Sequence, residues 1–322
     1  MVQRASLQLF SAHCRHVVGR LMSLVLCFSM FCVADLFAEA QAHSLVSDGG
    51  HITGMAVTST GDVVVADTWN HTLVRYSPAG IGTVIAGTGT RIAGFSGDGG
   101  PATAAMLGDL GGIAIDAADN IYLCDYGNCR LRKIDTAGNI HTIAGTGVDS
   151  STGDGGLASV ATMKPRSVCV SASGEIYITD IYAVVTQGTS RSVRVRKISA
   201  SGIISAVVGG GVNRSDSATA ADVQFGAGAL QIDQTGDVYI GDGTRIWKYT
   251  TSGSLTRIAG SATSGFSGDG GPAIQATFSG IDGICVDAQG VIYIDDSRNT
   301  RIRKVDTSGI VSTFAGVTQN RN

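Results

Sequence analysis

Residues Gly112–Gly147 read GIAIDAADNIYLCDYGNCRLRKIDTAGNIHTIAGTG. Four short apolar runs stand out: Ile113–Ile115, Ile121–Cys124, Leu131–Ile134 and Ile140–Ala144. They are separated by Ala-Asp-Asn, Asp-Tyr-Gly-Asn and Thr-Ala-Gly-Asn, residues that accept the left-handed backbone of tight turns. Short apolar runs with such punctuation predict four antiparallel strands joined by hairpins.

The same unit recurs along the chain. The first strand reads GMAV from Gly54, GIAI from Gly112, SVCV from Ser167, ALQI from Ala229 and GICV from Gly283, spaced by 58, 55, 62 and 54 residues. The second strand reads VVVAD, IYLCD, IYITD, VYIGD and IYIDD, and the third TLVRY, RLRKI, RVRKI, RIWKY and RIRKV. The fourth ends at Gly87, Gly145, Gly209, Gly260 and Gly316. A four-stranded sheet cannot bury its faces alone, so copies at a regular period must stack. The expectation is an all-β chain: a β-propeller of four-stranded antiparallel blades, with repeats near 54–87, 112–145, 167–209, 229–260 and 283–316. Five blades is the direct count and six the alternative. Between blades run longer connectors, nearly identical from Gly94 (GFSGDGGPATAAM) and Gly265 (GFSGDGGPAIQAT), worn in TGDGGLASVAT from Thr152 and in SDSATAADVQF from Ser215. The third unit carries an insertion, Tyr182–Ser192.

Composition agrees with many turns and a large core: 322 residues, 43% hydrophobic, 45 Gly and 4 Pro. Arg4, Arg15 and Arg20 precede the apolar run Leu21–Ala38, followed by Ala40 and Ala42. This order predicts a signal peptide over residues 1–42, with an uncleaved N-terminal anchor as the alternative and residues 43–322 as one domain, secreted or extracytoplasmic. Loss of three Arg against one Asp and one Glu moves the net charge from −3 to −4. No basic run offers a nucleic-acid footprint.

Four cysteines follow the presequence: Cys124, Cys129, Cys169 and Cys285. Cys124 and Cys129 flank a hairpin loop and admit two readings, a cross-strand disulfide or two half-buried thiols. Cys169 and Cys285 share a repeat column with Ala56, Ala114 and Gln231, which suggests a small packed site.

The most regular polar column is the Asp at the end of the second strand. Paired with the basic residue opening the third strand, it gives Asp125–Arg130, Asp180–Arg194, Asp242–Arg245 and Asp296–Arg301, with Asp67 facing Thr72 in the first unit. Recurrence in every unit favours structure over chemistry, as pairs across a hairpin turn. The next basic columns, including Arg132, Arg196 and Arg303, alternate with apolar residues and read as a solvated strand face. Asp98, Asp154, Asp216 and Asp269 occupy equivalent connector positions and form the candidate binding face. Phe95 and Phe266 beside them read as plugs between blades.

Catalytic and metal signals are thin. His43, His51, His71 and His141 do not recur around the ring, Glu175 is the only glutamate after the presequence, and there is no G-x-S-x-G, P-loop or Cys-x-x-Cys. No cofactor is expected, with Ca²⁺ on connector carboxylates or Zn²⁺ in the channel as the exceptions to test.

The GIAID strand, the Tyr-Ile-x-Asp strand, Arg-Ile-Arg-Lys from Arg301, the Ala-Gly ending and the Gly-Phe-Ser-Gly-Asp-Gly-Gly-Pro-Ala connector resemble the NHL repeat across residues 48–316. The resemblance implies a propeller whose relatives include protein-binding and RNA-binding modules, sensor domains and lyases. The zinc-binding channel histidines of the amidating lyases have no match here. The expectation is a monomeric extracellular module binding a protein or glycan through its connector face without catalysis, and without nucleic acid or membrane contact beyond a retained anchor. A lyase or lactonase acting in the channel is the alternative.

Overall fold

The computed structural model describes residues 51–316 apart from 184–190, 216–217 and 227. Blade 1 holds β1 (Ile52–Val57), β2 (Val63–Asp67), β3 (Thr72–Tyr76) and β4 (Gly82–Ala86). Blade 2 holds β5 (Leu110–Ile115), β6 (Ile121–Asp125), β7 (Arg130–Ile134) and β8 (Ile140–Ala144). In blade 3 come β9 (Pro165–Val170), β10 (Ile176–Ala183), β11 (Arg191–Ile198) and β12 (Ile204–Gly209). Blade 4 has β13 (Leu230–Ile232), β14 (Val238–Gly241), β15 (Arg245–Tyr249) and β16 (Leu255–Gly260); blade 5 has β17 (Ile281–Val286), β18 (Ile292–Asp296), β19 (Arg301–Val305) and β20 (Val311–Ala315). Each blade is a separate four-stranded antiparallel sheet built from consecutive strands, so the fold is an all-β, five-bladed propeller.

The second strands show why the blades stack. Residues alternate between the two faces of a strand, yet IYLCD and IYIDD are buried along their whole length. Both faces must therefore be covered; in blade 2 one is covered by the preceding blade and one by the following blade. Leu123 packs with blade 1, while Tyr122 and Cys124 pack with blade 3. Connectors wedge into these seams. Ala102, Ala105 and Leu107 fill the first, Ala158, Ala161 and Met163 the second, and Ala273, Ala276 and Phe278 the fourth. Within the connector the chain makes a short 3₁₀ turn of three residues, as at Ala102–Ala104.

Outer strands are bent at one recurrent point. In all five blades the pairing of third and fourth strands slips by one residue, at Leu73/Val74, Leu131/Arg132, Val195/Arg196, Ile246/Trp247 and Ile302/Arg303. Such a bulge sharpens the twist of the outermost strand and directs the connector to the next blade. The glycine that follows has no alternative. Gly145 has φ +92°, and a Cβ there would lie 2.5 Å from the Cys129 carbonyl oxygen.

The insertion in the third unit partly lengthens β10 and β11, and its remaining residues 184–190 lie outside the described residues. Residues 1–50 lie outside them too, and with them the expected presequence. Among the described residues no helix is long and apolar enough to cross a membrane.

Candidate functional site

The candidate site builds up from the Arg columns of the third strands. Arg132, Arg196 and Arg303 were expected on a solvated face, but all three are fully buried. The reason is a pair of carboxylates. Arg132 places Nη2 2.8 Å from Asp98 Oδ1 and Nη1 3.2 Å from Asp125 Oδ2. Arg196 joins Asp154 at 2.9 Å to Asp180 at 3.1 Å. Arg303 joins Asp269 at 2.8 Å to Asp296 at 3.5 Å. One planar guanidinium thus bridges the connector and the second strand, a geometry the arginine fork suits.

Each second-strand Asp also holds the returning leg of the connector. Asp125 accepts from the Gly108 N–H at 2.9 Å, Asp180 from the Lys164 N–H at 2.7 Å and Asp296 from the Ser279 N–H at 2.7 Å. Arg132 donates to the Ser96 carbonyl at 3.1 Å, and Arg303 to the Ser267 carbonyl at 3.0 Å. The outgoing and returning legs are therefore clamped to one buried charge cluster. Burial pushes the Asp125 carboxyl up, against the pull of the Asn128 amide, the Gly108 N–H and Arg132. Burial raises Asp296 in the same way, opposed by Ser279, Asn299 and Arg303.

This redraws the expected hairpin pairs. Arg130 stands opposite Asp125 in the strand register, but its guanidinium turns to the Asn128 and Thr146 carbonyls, both at 2.8 Å, and stacks 3.8 Å from the centroid of Phe95. Arg301 donates to the Asn299 carbonyl at 3.0 Å and stacks 4.0 Å from Phe266. The residue two further along the same face reaches the Asp instead. Arg194 lies 4.0 Å from Asp180 and 3.0 Å from Asp154, so it supports the Arg196 clamp. Only Asp242–Arg245 forms the expected pair closely, at 2.8 Å. There the clamp position is Trp247, whose Nε1–H donates to Asp242 at 3.0 Å. In blade 1 the position is Val74, and Asp67 caps its own turn, accepting from the Trp69 and Asn70 N–H groups at 3.1 and 3.2 Å.

Asp98, Asp154 and Asp269 are each engaged by an arginine while their side chains stay 38%, 31% and 40% accessible. Asp216 lies outside the described residues. Phe95 and Phe266 are exposed lids over Arg130 and Arg301, 41% and 43% accessible, and do not plug the seams. Trp69, at 58%, stands in the turn between β2 and β3 of blade 1. Ile92, Val148 and Val212 are exposed in the loops that leave the fourth strands at the same end of the blades.

Cys124 and Cys129 are separate thiols. Cys124 stands opposite Leu131 in the register, while Cys129 ends a 3₁₀ turn at φ +54°, outside the strand. Burial raises the Cys124 thiol well above its ordinary range, with Asp125 adding to the effect.

The first strands surround a central channel of about 350 Å³. Its lining is mostly backbone and small apolar side chains; Asp282 is the charged residue in it, with Gln231, Thr53, Ser167, Cys169 and Cys285 as polar or sulfur groups. Among the described residues no three His, Cys, Asp or Glu side chains come together as a metal site. A ring nitrogen of His71 sits 2.8 Å from the Gly108 carbonyl, and His141 lies 3.5 Å from Asp135.

Comparison with known proteins agrees with this architecture. The family description "Teneurin NHL domain" matches residues 262–322, and "NHL repeat" matches residues 50–76. Teneurin-1 of Gallus gallus is 31% identical over 248 residues, covering 69% of this chain and 9% of the teneurin. Teneurin-4 of Homo sapiens is 30% identical over 249 residues, covering 68% of this chain and again 9% of the relative. The chain therefore spans about a tenth of the length of these relatives. Among solved structures, a gluconolactonase from Xanthomonas campestris superposes with a TM-score of 0.53 at 16% identity, covering 82% of this chain and 75% of that one. A protein of unknown function from Bacteroides thetaiotaomicron gives 0.52 at 19% identity, covering 78% and 57%. These two share the fold.

Proposed function

Because the chain belongs to the NHL-repeat β-propeller family, we propose that it acts as an extracellular, non-catalytic binding module whose connector end recognises a protein or a glycan. The observation that carries this reading is the concentration of exposed aromatic and aliphatic side chains at that end, among them Trp69, Ile92, Phe95, Val148 and Phe266. Loops held by a rigid scaffold are where binding groups concentrate, and exposed apolar side chains near one another mark interaction surfaces. The clamps serve this role by fixing the connectors, so that Phe95 and Phe266 are presented with little ordering entropy left to lose on binding. Extracellular placement draws support from the likeness to teneurins and from the expected presequence. The module functions as a monomer in this reading.

Chemistry in the channel would need an acid–base pair or a metal. The described lining supplies one carboxylate, Asp282, and one carboxamide, Gln231.

Two measurements test the proposal. A photo-crosslinking amino acid at Phe95 or Trp69, applied to intact cells of the source organism, should trap a partner, while the same group at Thr251, at the opposite end of the blades, should not. Equal trapping at both ends overturns the assignment of the face. Hydrolysis of glucono-lactone by the purified chain, abolished by Asp282→Asn, overturns the non-catalytic reading.

A further inference from the structure

Two stretches of the chain read Asn-x-Ser/Thr with no proline between: Asn70-His71-Thr72 and Asn213-Arg214-Ser215. This is the acceptor pattern for N-linked glycosylation in chains that enter a secretory compartment. The structure treats the two asparagines differently. Asn70 belongs to a scaffold column, three residues after the second-strand Asp, with Asn128 and Asn299 as equivalents. The Asn128 Nδ2 donates to Asp125 at 2.9 Å and to the Gly94 carbonyl at 2.6 Å. The Asn299 Nδ2 donates to Asp296 at 2.8 Å and to the Gly265 carbonyl at 2.9 Å. Asn70 is held in the same manner: its Nδ2 donates to Asp67 at 2.6 Å, and its Oδ1 accepts from the Arg91 Nε–H at 2.8 Å. Thr72, which supplies the hydroxyl of this motif, is buried. A sugar on Asn70 would have to displace these contacts in the hairpin turn.

Asn213 belongs to no such column. It is the fourth residue after the glycine that ends the fourth strand, where blades 1, 2 and 4 have Arg91, Asp149 and Ser264. Those three are exposed and differ in chemistry, so the position carries no shared scaffold role. The backbone at Asn213 is pinned. Its N–H donates to the Asp222 carbonyl at 2.9 Å, and its carbonyl accepts from the Gln224 N–H at 2.7 Å. The next carbonyl, of Arg214, accepts from Arg245 at 2.7 Å. The side chain, by contrast, lies at the surface: Asn213 is half-exposed, and Val212, Arg214 and Ser215 around it are exposed. Its Oδ1 accepts from the Ser215 N–H at 2.9 Å, while its Nδ2 makes a long contact of 3.4 Å with the exposed carboxylate of Asp222. A carboxamide nitrogen carries two protons, so replacing one by a sugar leaves the other for that contact.

We propose that Asn213 is an N-glycosylation site and that Asn70 is not. The donor is an oligosaccharide carried on a lipid diphosphate. The Asn213 Nδ2 forms a bond to the anomeric carbon of the sugar, and the bond from that carbon to the diphosphate oxygen breaks. The lipid diphosphate leaves with the electron pair, and Nδ2 gives up one proton. Ser215 supplies the hydroxyl that the acceptor pattern requires. Transfer acts on the chain as it is delivered, so the folded structure decides which modified site a blade tolerates. A chain with a sugar on Asn70 loses the turn of blade 1, whereas one with a sugar on Asn213 keeps every backbone bond of its connector. The proposal rests on the extracytoplasmic placement given above and does not depend on the partner-binding role.

The test expresses the full chain in cultured animal cells, both as it stands and preceded by the signal peptide of a protein that those cells secrete. Protein from the medium or the cell surface is digested with peptide-N-glycosidase, which removes the sugar and converts the modified Asn to Asp, and is read by peptide mass spectrometry. The peptide holding residue 213 should show that conversion, and the peptide holding residue 70 should not. Asn213→Gln and Ser215→Ala should each abolish the electrophoretic shift that the glycosidase otherwise produces, and Thr72→Val should leave it unchanged. An unmodified Asn213 in the exported protein overturns the proposal, and so does a sugar on Asn70 in its place. If only the chain with the added signal peptide is exported, and Asn213 is modified there, the acceptor site stands and the extracytoplasmic placement falls. If neither form is exported, translation of the full chain with rough microsomes decides. A glycosidase-sensitive shift that Asn213→Gln removes supports the proposal, and a shift that is absent or unaffected by that variant overturns it.

Discussion

In blade 2 a buried guanidinium, Arg132, ties Asp98 of the connector to Asp125 of the second strand, whereas in blade 4 the same position is the indole of Trp247, which reaches Asp242 alone. Trp247 packs edge-on against Phe225, their centroids 6.2 Å apart. Blade 4 thus anchors its plug with apolar contact where blade 2 uses charge. A buried ion pair and a well-packed apolar substitute can be close in net stability, because desolvation cancels much of the Coulomb gain. The contrast therefore teaches that the clamp is not required for a blade to stack. What it adds is a fixed position for both legs of the connector.

The comparison breaks most visibly at the arginine itself. Arg132→Ala leaves Asp125 buried without its cation and should destabilise the fold by about 3–5 kcal/mol. Chemical denaturation would read this. Arg132→Trp, copying blade 4, should recover a substantial part, because its N–H can reach Asp125. If Arg132→Ala changes stability by less than about 1 kcal/mol, the charge cluster is not an energetic element of the fold.

A smaller loss should follow from the glycine that ends the fourth strand. Gly145→Ala forces an L-residue to φ +92° and drives its Cβ to 2.5 Å from a carbonyl oxygen. Strain of this kind costs about 1–3 kcal/mol. Gly138→Ala has a comparable φ, +82°, but nothing within 4 Å of the added Cβ. It should lose clearly less, and equal losses would show that the close approach at Gly145 relaxes freely.

Strand order, blade number and the recurring turns were all legible in the sequence, because each depends on local patterning that five copies average. The site was only partly legible. The connector carboxylates and the second-strand carboxylates were both visible as columns, but their shared partner was misassigned. Strand alternation placed Arg132 beside apolar neighbours, and without a seam in view an arginine between Leu131 and Lys133 looks solvated. A signal was nevertheless present. Arginine occupies that column in the three units whose connectors carry Asp-Gly-Gly, and is replaced by Val74 or Trp247 in the other two. Co-occurrence within the chain's own repeats marks the clamp.

Blades 2 and 4 also share a feature at their opposite end, which makes the comparison testable by pH. Tyr122 donates to Asp116 at 3.0 Å and Tyr239 to Asp233 at 3.1 Å. Partial burial works to raise Asp116, but hydrogen bonds from Asn120, Tyr122 and Ala118 hold its carboxyl below the ordinary value. Asp233 is lowered in the same way by Thr235, Asp237 and Tyr239. Burial, with Asp116 beside it, pushes the Tyr122 phenol up to about 12. A lowered carboxyl stabilises the fold above its unfolded value, near pH 4, and loses that contribution as pH falls through the folded value. Asp116→Asn and Asp233→Asn should each cost about 1 kcal/mol at pH 7, discounted for solvent screening, and progressively less in acid. Asp125 runs the other way. Its raised carboxyl favours the fold in acid and loses that advantage as pH rises through the folded value. Stability measured from pH 7 to pH 3 in the two Asn variants should converge on the native chain; parallel curves would remove the turn carboxylates from the acid response.

The smallest effect is expected at one of the hairpin pairs that the sequence alone suggests. Arg130 is opposite Asp125 in the register yet stacks on the half-exposed ring of Phe95. An exposed cation–π contact contributes about 0.5–1 kcal/mol. Arg130→Ala should therefore cost several-fold less than Arg132→Ala, although the two residues lie one turn of the strand pleat apart. Phe95→Ala should cost a similar amount, and the double variant should lose less than the sum of the two, since either change alone removes the stack. Full additivity would mean that Arg130 acts through its bonds to the Asn128 and Thr146 carbonyls and that Phe95 is held independently. The aromatic lid would then be free to reorient toward a partner without disturbing the clamp beneath it.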